Sequence, residues 1–99
     1  MDLDNIVSKE IHHQKYYPIL LRDTQLTLKA LLELGASEDD KSLYLESRLY
    51  HLVEFSLGKL TLAAVTSEVE KSPEKIDQIE YDKIKSNIDR ELNGSRHTF

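Results

Sequence analysis

Glu10-Ile11-His12-His13 sets a carboxylate and an imidazole three residues apart, the spacing with which di-iron bundles aim two ligands inward from one helix. Such a centre needs a second Glu-x-x-His and two further inward glutamates. No second copy occurs: His51 follows Glu46 by five positions, which turns it away. Adjacent His12 and His13 diverge by about 100° on a helix and do not converge on one ion. A solvated helix face is the better reading of the motif. Glu38-Asp39-Asp40 has the charge for Mg²⁺, but three consecutive side chains splay around a turn, and capping a helix explains them better. Arg48 and His51 stand too close together for the paired Arg and His of small helical nucleases. The chain has no Gly-x-Ser-x-Gly, no glycine-rich phosphate loop and no cysteine, so nucleophilic catalysis lacks its parts. We expect no enzyme, no catalytic residue, no cofactor and no metal.

The elements that position these residues belong to one domain, since 99 residues do not support two separate cores. Without cysteine, disulfide scaffolds, zinc fingers and iron–sulfur clusters are excluded. Eighteen acidic against thirteen basic residues leave −5, which argues against coating nucleic acid by charge. Apolar runs such as Leu62-Ala63-Ala64-Val65 fall far short of the ~20 residues of a membrane span. The acidic start Met1-Asp2-Leu3-Asp4-Asn5 has no apolar signal region, so a cytoplasmic protein with no membrane partner is expected. Three Asn, three Gln, no Cys and many Lys, Glu and Ile match thermophile usage.

Period and punctuation predict an all-α bundle of about four helices over residues 1–94, followed by a frayed tail, 95–99. Leu3, Ile6, Val7 and Ile11 recur at helical spacing behind a cap at Asp2 or Asp4. Pro18 predicts an end or a kink there, so residues 3–34 read as two helices or one bent one. Gly35 is the stop. Ser37 then caps a helix from about Lys41 to Glu70, with Gly58 marking a bend or a break. Leu45, Leu49, Leu52, Val53, Leu60, Ala63, Ala64 and Ile76 are the expected core. Ser72-Pro73-Glu74 predicts the last helix start, and Asn93-Gly94 its end.

A DNA-binding helix-turn-helix is an alternative over residues 61–92, with Lys75, Lys83 and Lys85 as its DNA contacts. Residues 73–92 hold four basic and six acidic side chains, and a recognition helix of net −2 suits a polyanion poorly. Direct nucleic-acid binding is therefore expected to be weak or absent. The aromatics are not interleaved with basic residues, so they form no stacking platform for single strands. Tyrosines on a small helical domain are core edges or interface anchors. Tyr16, Tyr17, Tyr44, Tyr50, Tyr81 and Lys59 are the candidate protein contacts. A further alternative is an acidic antitoxin or inhibitor that masks a basic groove.

Tyr16-Tyr17-Pro18-Ile19-Leu20-Leu21, the acidic turn Ser37-Glu38-Asp39-Asp40, Lys59-Leu60-Thr61-Leu62-Ala63-Ala64 and Ser72-Pro73-Glu74-Lys75-Ile76 follow one another over most of the chain. In that order they resemble the helical domain of GINS-type replication proteins. Ser56 stands where that family carries arginine, and nothing here corresponds to its small β-domain. Small accessory subunits of the archaeal family-B DNA polymerase holoenzyme are a second similar class. The resemblance implies a non-catalytic accessory subunit of a DNA-replication assembly, partnered by a polymerase or helicase component.

Overall fold

The computed structural model describes residues 2–73 and 75–96, with side chains described for 14–73 and 75–93. Its elements are α1 (Asp2–Glu33), α2 (Glu38–Phe55), α3 (Leu62–Glu70) and α4 (Gln78–Arg96). The all-α, four-helix expectation is met, with no strand among the described residues. At 1.5 Å per residue α1 is about 48 Å long, which sets the 51 Å long axis of the molecule.

Alpha1 is the spine. Pro18 neither ends it nor divides it. The proline ring is exposed, while Tyr17, Leu20 and Leu21 beside it are held by packing, which offsets the backbone bond the proline forfeits. Gly35 ends α1 as expected, at φ 71°. Ala36 N–H reaches Leu31 O at 2.9 Å and Gly35 N–H reaches Leu32 O at 3.2 Å, the paired bonds of a Schellman stop. Ser37 caps α2, its hydroxyl accepting from Asp40 N–H at 3.1 Å, with Glu38, Asp39 and Asp40 in the first turn.

Of the bend or break expected at Gly58, the structure takes the break, and residues 41–70 divide between two helices. Leu57 (φ 59°) and Gly58 (φ 78°) take the left-handed conformation and fold the chain back. Thr61 restarts it by accepting from Ala64 N–H at 3.2 Å. The reversal buries Val65 and Val69 with Leu52 against Leu20, Leu21 and Leu28. The last helix does not begin at Ser72-Pro73. Its cap is Asp77, whose Oδ1 accepts from Ile79 and Glu80 N–H at 2.9 and 3.2 Å. Nor does Asn93-Gly94 stop it, since α4 continues to Arg96. Of the expected tail, Ser95 and Arg96 lie in α4 and 97–99 fall outside the described residues.

Two apolar clusters flank α1. One joins Leu52, Val65 and Val69 to Tyr17, Leu20, Leu21 and Leu28. The other joins Leu26, Ala30 and Leu31 to Tyr81 and Ile88 of α4, with Tyr44 and Leu45 of α2 at its edge. Among the described residues the backbone of α4 packs on α1, and not on α2 or α3. Among the expected core residues, Leu52 is fully buried and Leu45, Leu49, Val53, Leu60 and Ala64 are half-buried. Ala63 and Ile76 are exposed. Ala63 lies on the outer side once α3 turns back, and Ile76 lies in the connection before α4.

Candidate functional site

The i,i+4 spacing on α2 sends Leu45 and Leu49 inward and leaves Glu46 and Tyr50 outward. On α3 the same rule buries Val65 and Val69 and carries Leu62 and Thr66 to the opening. Between the two helices lies a groove of about 540 Å³, floored by Leu28, Leu45, Leu49 and Val69. Tyr50 (58 % exposed) and Leu62 (40 % exposed) contribute to its walls. Past the end of α3 the floor continues along α1 into a second depression of about 280 Å³, which shares Leu28, Val69 and Glu70 and adds Leu32, 58 % exposed.

The charges on this rim are not symmetric. Lys41 is paired with Glu38 at 2.6 Å, and Lys71 turns to Glu68 at 2.9 Å. Glu46 and Glu70 make no ion pair or hydrogen bond among the described residues. Glu70 also sits at the C-terminus of α3, where the helix dipole is negative. The groove is apolar below and net acidic above.

The structure does not gather the expected contact residues into one site. Tyr50 stands at the groove. Tyr17 and Lys59 meet instead at the far end of the bundle, around a depression of about 330 Å³ shared with Phe55 and Leu60. The Tyr17 hydroxyl is buried there with no hydrogen-bond partner among the described residues. Burial, then the Glu68 carboxylate, raises its pKa. Tyr16 is exposed on α1. Tyr44 is half-buried; burial and the Glu91 and Asp40 carboxylates push its hydroxyl up to about 12.

Tyr81 is 4 % exposed and belongs to the core. Its hydroxyl donates to Glu33 Oε2 at 2.6 Å, and burial, then that carboxylate, raises its pKa. Glu33 also receives Lys29 at 3.0 Å and Lys85 at 3.2 Å, while Lys29 lies over the Tyr81 ring at 5.5 Å. The Tyr81 hydrogen bond, followed by those of the two lysines, holds Glu33 down to about 2. This clasp between α1 and α4 was missed in the sequence. Its one local signal is an acid in the last turn of α1, where the helix dipole disfavours it.

The three lysines of the DNA-binding alternative do not share a face. Lys85 is engaged by Glu33 on the α1 side. Lys83, about 200° away around the helix, is exposed on the outer side, and Lys75 is exposed in the connection before α4. That connection, residues 71–77, separates α3 from α4, which do not pack on each other; helices of a helix-turn-helix are joined by a short turn and cross in contact.

Among the described residues no three His, Asp or Glu gather as a metal site; the Glu10–His13 pair lies outside the described side chains. No helix among the described residues is long and apolar enough to cross a membrane. Two further large apolar side chains reach solvent: Leu43 on α2 is 74 % exposed and Ile79 on α4 is 70 % exposed. Comparison with family models, curated proteins and solved structures finds no match to this chain.

Proposed function

We propose that this chain is a non-catalytic protein-binding module that works in the cytoplasm as an accessory subunit of a larger assembly. The observation that carries the reading is the groove between α2 and α3, whose leucine floor the chain's own helices leave open. Exposed Leu32, Tyr50 and Leu62 extend that apolar surface, and side chains of this kind are the ones partners desolvate at interfaces. The titrating groups that depart most from ordinary values, Glu33, Tyr44 and Tyr81, are tied to one another or to neighbouring helices. Their perturbation is accounted for by burial and by hydrogen bonds within the bundle; none of them lines the groove between α2 and α3, and Glu33 lines the second depression.

The replication setting comes from the sequence resemblance to GINS-type proteins and to polymerase accessory subunits. Its expected partner is a polymerase or helicase component. Affinity isolation of the chain from native extract, with nuclease treatment in parallel, tests this reading. Recovery of a replication polymerase or helicase component, unchanged by nuclease, supports it. Loss of all partners on nuclease treatment, together with salt-resistant binding to duplex DNA, would replace it with the DNA-binding alternative. A single tight partner with a basic groove and no link to replication would favour the inhibitor alternative.

A further inference from the structure

We infer that the groove between α2 and α3 receives one amphipathic helix of a partner protein, its apolar stripe bordered by lysine or arginine. This inference rests on the protein-binding reading above and names the occupant. Alpha3, at nine residues, covers about 14 Å against about 27 Å for α2. Alpha3 is therefore too short to cover α2 along its whole length, and the groove between them stays open along Glu38, Lys41 and Ser42. A helix laid there would contact α1, α2 and α3 at once, with Leu28 beneath it and Leu32 continuing the same apolar track. Tyr50 supplies an amphipathic anchor at the wall.

Charge chooses among helices. Glu46 on α2 and Glu70 at the end of α3 line the groove without ion-pair partners among the described residues. The negative end of the α3 dipole adds to Glu70, and the lysines along the groove and its continuation are already paired, Lys41 with Glu38, Lys29 with Glu33 and Lys71 with Glu68. An acid-flanked helix would meet these carboxylates with like charge, while a base-flanked helix would pair with them. A second copy of this chain is a poor occupant, because each copy carries −5.

Two synthetic 18-residue helical peptides with one leucine stripe, one flanked by lysine and one by glutamate, are the probes. Binding is read by fluorescence anisotropy and mapped by amide chemical shifts on the full chain. The lysine peptide is expected to bind and to shift the amides around Leu28, Leu49, Tyr50 and Leu62, and the glutamate peptide is not. The double substitution Glu46→Lys with Glu70→Lys is expected to weaken the lysine peptide about tenfold and to admit the glutamate peptide. Asp82→Lys with Asp89→Lys, on exposed positions of α4, makes the same change in net charge and is expected to leave binding unaltered. Both variants alter exposed side chains, and circular dichroism verifies their folding. Equal binding of the two peptides, or equal effects of the two double variants, overturns the groove assignment. Shifts centred on Ile76 and Ile79 also overturn it, while leaving the protein-binding reading standing. A wild-type dimer that Leu62→Asp dissociates gives the groove to a second copy and overturns it too.

Discussion

Alpha4 is held by α1, and its backbone packs on neither α2 nor α3, so it should open as a unit of its own. Ile88 is 6 % exposed and sits between α4 and the Leu26–Leu31 face of α1. Ile88→Ala removes three carbons, about 2.4 kcal/mol of transfer free energy. Incomplete closure of the resulting cavity raises the cost to about 3 kcal/mol. Leu52, fully buried with Val65 and Val69 on the other side of α1, should lose a similar ~3 kcal/mol on truncation to alanine. The totals are alike and the locations differ. Amide hydrogen exchange followed by NMR separates them. Ile88→Ala lowers the native state against both the α4-open and the fully unfolded state, so it is expected to speed exchange about a hundredfold within residues 78–93 and among the most protected amides of α2 and α3 alike. Leu52→Ala destabilises the native and the α4-open states equally, so it is expected to speed the most protected amides of α2 and α3 and to leave residues 78–93 near their wild-type rates. If Leu52→Ala accelerates the amides of α4 as much as those of Val65 and Val69, the two clusters melt together and α4 is no separate unit.

The Glu33 clasp makes a pH prediction. Its carboxyl is held at about 2 against an ordinary 4.5, so its contribution to stability is complete above about pH 4.5 and disappears as the pH falls towards 2. Acid titration of wild type and Glu33→Gln, followed by circular dichroism, should differ in that window and run parallel above it. At the alkaline end Tyr44 is raised from 10.0 to about 12. Stability should hold to about pH 10 and fall as the pH rises to 12, and Tyr44→Phe should blunt the fall. Gly58→Ala at φ 78°, with no atom within 4 Å of the added methyl, should cost about 1 kcal/mol from backbone conformation alone, measured by urea denaturation. Arg48 Nη1 reaches Asp23 Oδ2 at 2.7 Å and the buried Thr27 hydroxyl at 2.5 Å. Solvent screens the ion pair, so Arg48→Ala should cost about 1 kcal/mol, with Thr27→Val in the Arg48→Ala background adding little. Duplex DNA binding by the wild-type chain should vanish at moderate salt, since Lys75, Lys83 and Lys85 present no common face.

Only what is local was legible in the sequence. The all-α class follows from leucine period, and the Gly35 stop and the Ser37 cap follow from φ preference and side-chain reach, all of which act within a few residues. The absence of cysteine removed disulfides and thiolate chemistry from this chain without any geometry. Tertiary packing decided the rest. The choice left open at Pro18, between two helices and one, went to one because the residues around it are held by α2 and α3. The reversal at Leu57 and Gly58 depended on what Val65 and Val69 gain by returning to α1, and a stripe of leucines reads the same whether the helix is straight or folded back. Packing sent Tyr81 inward to Glu33 while Tyr50, with the same side chain on the same kind of helix, was left at a groove. Residue type set what each tyrosine is able to do; the distance to a partner some fifty residues away, which no local pattern encodes, set which of them does it.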